Sequence, residues 1–336
     1  MSKWLCIIAW LCLLPLLSGC EHKELCYQHP HVGHIRVVFD WRYAPDASPA
    51  GMCVLFYPVG GGEPVRYDFR GTDGGEVQLR SGNYLVMCYN NDTEAVLFGG
   101  TDNFFDYSFY TRTGNVLEPI YGNAANYAPR TDDERVVICP DQMWGAIATE
   151  VEVGDFGVRY LSHHDGGRAT PIEVPITDEQ VIVLYPHELT CTYTYEVRNV
   201  SNLKHVSQMC ASLSGMSGRL TMCNEMLDAE NVTLPFEAFS DGNSTIYGKF
   251  YTFGRSTDNP ERNRLLLYII LDDGGKFLYG SDADRFDVTD QVLSAPDRRH
   301  VHLIVDGLDL PQPIENGHGF NPSVDDWQEV HEIIEM

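Results

Sequence analysis

The sequence predicts an all-β protein, two tandem antiparallel β-sandwiches behind an N-terminal export signal. Three observations lead there. Apolar and polar residues alternate with period two along many short segments, the mark of half-buried strands. Glycine and proline, 30 and 18 of 336 residues, punctuate those segments at regular spacing. A helical reading suggests itself only over residues 201–213 and in the tail from Asp325. Many short strands with turn signals between them favour sandwiches over a parallel α/β sheet.

The elements follow in chain order. Residues 1–3 give a short basic start, and residues 4–17 form an almost unbroken apolar run. That run falls short of the about 20 residues a membrane-spanning helix needs and has the length of a signal-peptide core. It ends in Leu17-Ser18-Gly19-Cys20, after which Glu21-His22-Lys23-Glu24 turn the chain polar. This order resembles the bacterial lipobox, in which small residues precede a cysteine whose thiol carries the lipid. The resemblance implies removal of residues 1–19 and acylation of Cys20, followed by a tether over residues 20–33. Each buried CH2 of an acyl chain contributes about 0.8 kcal/mol, so two or three chains hold firmly to the outer-membrane lipid. No later segment is long and apolar enough to span a bilayer as a helix, and the chain after Cys20 is expected to be soluble.

Residues 34–155 read as the first sandwich. Ile35, Val37, Phe39 and Trp41 share one face of a strand. A turn rich in proline and alanine follows at residues 44–49, then a strand over 53–57 stopped by Pro58. Gly60-Gly61-Gly62 and Asp73-Gly74-Gly75 are turns. Residues 84–89 are apolar on both faces and read as a central strand, and 135–139 and 143–153 close the domain. A stretch rich in glycine, proline, histidine and acids marks a linker at 156–178, and residues 179–336 form the second sandwich. There Leu189, Cys191, Tyr193, Tyr195 and Val197 alternate with polar residues. Residues 264–271 and 276–279 flank Asp272-Asp273-Gly274-Gly275 as a hairpin, and 300–306 alternate again.

The formal net charge is −25, and loss of Lys3 with the signal makes the mature chain one unit more negative. Such a surface argues against nucleic acid or an anionic bilayer as a partner. Of ten cysteines, Cys6 and Cys12 leave with the signal and Cys20 takes the lipid. The remaining Cys26, Cys53, Cys88, Cys139, Cys191, Cys210 and Cys223 are odd in number and cannot all pair within the chain. Most sit in apolar strand-like runs, where cysteine acts as a small hydrophobe.

Several segments carry a family resemblance. They are Leu25-Cys26-Tyr27, His29-Pro30-His31, residues 37–42, Ala44-Pro45-Asp46-Ala47, Gly82-Asn83-Tyr84 and residues 89–93. In the second half they are residues 193–199, 211–218 and 320–327. Behind an acylated Cys20, these are similar to a family of Bacteroidales surface lipoproteins of unassigned function and to the wider fimbrillin-like group. The resemblance rests on packing and turn residues. It implies two transthyretin-like β-sandwich domains and a place in a fimbria-like surface assembly as anchor, accessory or tip subunit. Partners in such assemblies join by strand addition. Arg36 and Arg42 lie inside or beside a strand and offer no cleavage site that would free a donor strand, which favours a retained anchor. Glu21 and Glu24 resemble the acidic export signal of surface lipoproteins in this phylum.

The chemistry-bearing residues give bland readings. His29, His31 and His34 would not converge on a strand, and His300 and His302 share a solvent face. His163-His164-Asp165 fall in the linker. Asp282, Asp284, Asp287 and Asp290 supply oxygens but lack the glycine and closing glutamate of a calcium loop. No Gly-x-Ser-x-Gly, His-Glu-x-x-His or phosphate-cradling glycine loop is present. The expectation is a non-enzymatic surface protein without metal or cofactor. The alternative is a glycan-binding lipoprotein acting beside an outer-membrane importer, with Phe104, Phe105, Tyr107, Phe109 and Tyr110 as an aromatic patch; packing in the core is the favoured role for those rings. The four Asn-x-Ser/Thr sites at Asn91, Asn199, Asn231 and Asn243 carry no glycosylation meaning in a bacterial lipoprotein.

Overall fold

The computed structural model describes residues 32–122, 134–154, 158–160, 163–165, 168–170, 180–281 and 284–313. Cys20, the signal, the tether up to residue 31 with Cys26, His29 and His31, Asp282 and the tail from Asp325 therefore lie outside the described residues, while the last two tether residues open β1.

The first half contains β1 (Val32–Phe39), β2 (Gly51–Pro58), β3 (Val65–Arg70), β4 (Gly74–Arg80), β5 (Gly82–Asn90), β6 (Val96–Gly99), β7 (Ser108–Thr111), a one-turn helix α1 (Glu118–Tyr121), β8 (Arg135–Val136) and β9 (Trp144–Val153). Five short strands follow: β10 (Val158–Tyr160), β11 (His163–Asp165), β12 (Arg168–Thr170), β13 (Gln180–Leu184) and β14 (His187–Glu188). One sheet runs β13-β1-β4, and the other runs β10-β9-β5-β2-β3 with β14 paired to β9. Alternation sends Ile35, Val37 and Phe39 of β1 with Ile182 and Leu184 of β13 onto Val54, Phe56, Val86 and Ala148 of the facing sheet. The opposite faces of β2, β5 and β9 are also covered. Cys53, Leu55, Tyr57, Met87, Tyr89 and Ile147 pack under a third, small sheet and the loop that carries Phe104 and Tyr107. Residues 84–89 thus form the central strand expected from their two apolar faces.

The second half contains β15 (Cys191–Ser201), β16 (Val206–Ser217), β17 (Arg219–Thr221), β18 (Met226–Leu227), β19 (Asn231–Glu237), β20 (Phe239–Ser240), β21 (Ile246–Thr252), β22 (Leu265–Leu271), β23 (Lys276–Tyr279), a short helix α2 (Thr289–Leu293) and β24 (His300–Asp309). Sheets β20-β21-β15-β24 and β23-β22-β16-β19-β8 face each other over Tyr193, Tyr195, Leu213, Phe236, Phe250, Leu267 and their neighbours. The rings of Phe236 and Phe250 stack at 3.8 Å across this core. The small sheet, β18-β17-β7-β6, joins strands of both halves. Likewise β8 pairs in parallel with β19, and α1 lies over the outer face of β16 and β22 through Leu117 and Ile120.

Four sequence expectations change. Residues 201–213 are not helical: a 3-10 turn at Leu203–His205 leads into β16, because Ala211 and Leu213 point into the core from a strand. Both short helices arise where no helical pattern was read. The stretch at 156–178 carries β10, which pairs with β9, and the hairpin of β11 and β12; His163, His164 and Asp165 are strand residues. Pairing is not wholly antiparallel, since in each half the first strand has a parallel partner from late in that half: β1 beside β13 and β15 beside β24.

One glycine is required by the fold. β16 bulges between Leu213 and Met216, where Gly215 has φ 72°. Its carbonyl accepts from Asn263 Nδ2 at 3.0 Å and Asn259 Nδ2 at 2.8 Å, so two buried amides secure the kink.

Candidate functional site

A cleft of about 710 Å³ opens where the small sheet meets the end of the second sandwich. Its floor is apolar, made of Leu189, Leu220 and Phe253, which belong to the core beneath the small sheet. Its rim leaves Met226 62% and Leu293 51% exposed. Cys191 and Tyr193 line it from the start of β15. Burial pushes the Cys191 thiol up to about 11. Burial also raises the Tyr193 hydroxyl, against the pull of Arg255 and Arg298.

Arg255, Arg298 and Arg299 bring cations to the same cleft, with Glu225 and Asp258 as its acids. Glu225 ties three elements together. Its Oε1 lies 2.6 Å from His187 Nε2 of β14, and its Oε2 accepts from Arg299 Nη2, which precedes β24, at 2.7 Å. Glu225 itself sits in the turn between β17 and β18 with a left-handed backbone, φ 53°. Burial works to raise its pKa, but the His187 hydrogen bond and Arg299 outweigh it and hold the carboxyl below the usual carboxylate range. A second contact runs alongside: His300 of β24 faces Glu188 of β14 at 3.3 Å and Asp297 at 2.9 Å. The first half, small sheet and second half are thus joined at one junction by hydrogen bonds and the Glu225–Arg299 ion pair. Such junctions are where binding sites preferentially form.

The residues singled out in the sequence fare differently. His34 is exposed on β1. His300 and His302 do share a solvent face, and His302 Nδ1 meets Thr194 Oγ1 at 2.9 Å. Asp287 is held by Arg262 at 2.8 Å and by Thr289. Among the described residues no group of three or more histidines, cysteines or acids could hold a metal ion. Cys53, Cys88, Cys139, Cys191, Cys210 and Cys223 are all unbridged. The rings at Phe104, Tyr107 and Phe109 are buried, with 3%, 2% and 0% exposure, and Tyr107 bonds the hydroxyl of Tyr89 inside the core. Phe105 alone of that run stands well out, at 62%. The exposed aromatic pair of the second half is Phe239 and Tyr247, 6.1 Å apart on β20 and β21.

Sequence reasoning passed over Glu225, Arg255 and the adjacent Arg298 and Arg299. Two successive arginines entering a strand of so acidic a chain were a visible signal. Their convergence with Glu225 was not.

Comparison with known proteins places the chain. A family described as a domain of unknown function, DUF5119, matches residues 19–237. The chain belongs to that family. A candidate fimbrium anchoring subunit of Bacteroides ovatus, Fim4B, is 30% identical over 104 residues. That match spans 31% of this chain and 31% of the relative, about a third of each. Among solved structures, a candidate adhesin from Bacteroides ovatus superposes with a TM-score of 0.59 at 18% identity, over 88% of this chain and 98% of that one. The fimbrial anchor protein Mfa2 from Porphyromonas gingivalis gives a TM-score of 0.44 at 14% identity, over 81% of this chain and 90% of that one. That score is too low to carry an inference. The protein therefore has the mostly β, several-sheet fold of the Bacteroides candidate adhesin.

Proposed function

We propose that this chain is a non-enzymatic surface lipoprotein, held to the outer membrane through acylated Cys20 and serving as an anchor or accessory subunit of a fimbria-like assembly. The observation that carries the reading is the 30% identity to a candidate fimbrium anchoring subunit. The lipobox-like Leu17-Ser18-Gly19-Cys20 supports the lipid, and the likeness to an adhesin structure supports the frame. The two halves are transthyretin-like sandwiches. The division between them falls after Glu188, since β13 and β14 pair within the first half. Partners join by strand addition, where main-chain hydrogen bonds give affinity and side-chain pockets give specificity. The glycan-binding alternative loses its motive at Tyr107 and Phe109, which are core residues.

Proteinase treatment of intact cells tests the reading, with wild type compared to Cys20→Ala. Wild type is expected to be shaved from whole cells and the variant to be released in soluble form. Protection of the wild type until the outer membrane is breached would leave a periplasmic role in its place.

A further inference from the structure

The junction cleft has two unlike walls. One is apolar, with Met226 and Leu293 standing exposed at its rim. The other is cationic. Of its three arginines, Arg299 already holds Glu225. Arg255 donates to the backbone carbonyls of Asn259 and Glu261, and its Nε is buried with no partner among the described residues. Arg298 is exposed and takes part in no hydrogen bond or ion pair among the described residues. Several arginines elsewhere find carboxylates, as Arg66 does in Asp68, Arg135 in Glu230 and Arg262 in Asp287, while Arg285 donates to the Gly307 carbonyl and Arg219 lies over the Tyr110 ring. With 48 acidic residues against 23 basic ones, two guanidinium groups facing one cleft without a carboxylate leave room for one from outside. Guanidinium binds carboxylate through two parallel charged hydrogen bonds, so the complement is specific in chemistry.

We propose that this cleft binds an acidic peptide segment of a partner protein, with carboxylates on Arg255 and Arg298 and apolar side chains on Met226 and Leu293. Its volume suits a short stretch of chain rather than a folded surface. Asp258 lies on the same rim, and Asp297 beside Arg298 is taken up by His300 and the Arg299 amide. Both confine the incoming carboxylates to the arginine wall. A second copy of this chain is the poorer occupant, because it brings a whole net charge of −25 against the same −25, whereas a short segment brings only the few carboxylates the arginines receive. The source of the segment, a neighbouring surface subunit, rests on the assembly reading above; the chemistry of the cleft does not.

The test is fluorescence anisotropy with a labelled peptide of alternating glutamate and leucine, titrated with the full chain carrying Cys20→Ala to keep it off lipid. Saturable binding is expected, weakened about tenfold or more by Arg298→Glu and lost when salt is raised to roughly 0.5 M. Arg298 makes no described contact, so the variant folds, and an unchanged melting curve checks it. Met226→Ser is expected to weaken binding as well. No binding of the acidic peptide overturns the proposal. So does equal binding by Arg298→Glu, or equal binding of a lysine–leucine peptide. Because the titration uses purified protein, its failure leaves the cell-surface result standing, and the reverse holds too.

Discussion

Replacing Glu225 with glutamine removes one charge from the junction and keeps the side chain's size and the backbone's left-handed turn. The carboxylate makes two charge-assisted contacts, to His187 at 2.6 Å and Arg299 at 2.7 Å. A hydrogen bond to a charged group contributes about 1.5–3 kcal/mol when well shielded. The side chains of His187, Glu225 and Arg299 are 25%, 29% and 35% exposed, so water screens part of that. Glutamine also retains an acceptor. The expected loss is about 1–3 kcal/mol, or roughly 2–4 °C of melting temperature per kcal/mol for a unit of this size. The pH dependence is specific. A carboxyl whose pKa is lowered by folding stabilises the protein above its unfolded value, about 4.3, and ceases to do so as pH falls through the folded value. Thermal melts of wild type and Glu225→Gln are therefore expected to differ fully at neutral pH and to converge below about pH 4. Equal melting temperatures at pH 7, or a gap that widens on acidification, would refute this joining role of Glu225.

Three further outcomes follow from the packing. Leu213→Ala empties a site with 0% exposure between the two sheets of the second sandwich, and chemical denaturation should register a loss of about 2–5 kcal/mol. Gly215→Ala places a methyl 2.8 Å from the Arg262 carbonyl at φ 72°. It is expected to cost more than about 1 kcal/mol, whereas Gly242→Ala, with nothing within 4 Å, bears only the backbone strain. Burial pushes the thiols of Cys53 and Cys210 up to about 12, so both should resist a thiol reagent at pH 8 until denaturant is added. Rapid labelling of either in the native protein, read by peptide mapping, would place it outside the core.

Much of the fold was legible because period-two alternation survives wherever one face of a strand meets a core. Tyr193, Tyr195 and Val197 announce β15 in this way, and the apolar run ending at Tyr89 announces a strand covered on both sides. Residues 201–213 misled because Asn202 and the turn after it interrupt the alternation, and an irregularity between Val206 and Gln208 shifts the phase of the strand that follows. The candidate cleft was hardly legible at all. His187, Glu225, Arg255 and Arg299 come from four separate segments, and no spacing rule relates them.

By itself, the sequence determined the β class, the turns and the strand faces, since each depends on neighbours a few residues apart. Tertiary structure alone decided which strands pair in parallel, that the small sheet draws on both halves, and that Phe105 alone of the aromatic run at 104–109 stands outside the core. It also decided that Arg255 and Arg298 line the cleft with no carboxylate partner among the described residues. Those outcomes turn on contacts between residues tens of positions apart, where burial and charge pairing are settled by the assembled sheets rather than by the local pattern.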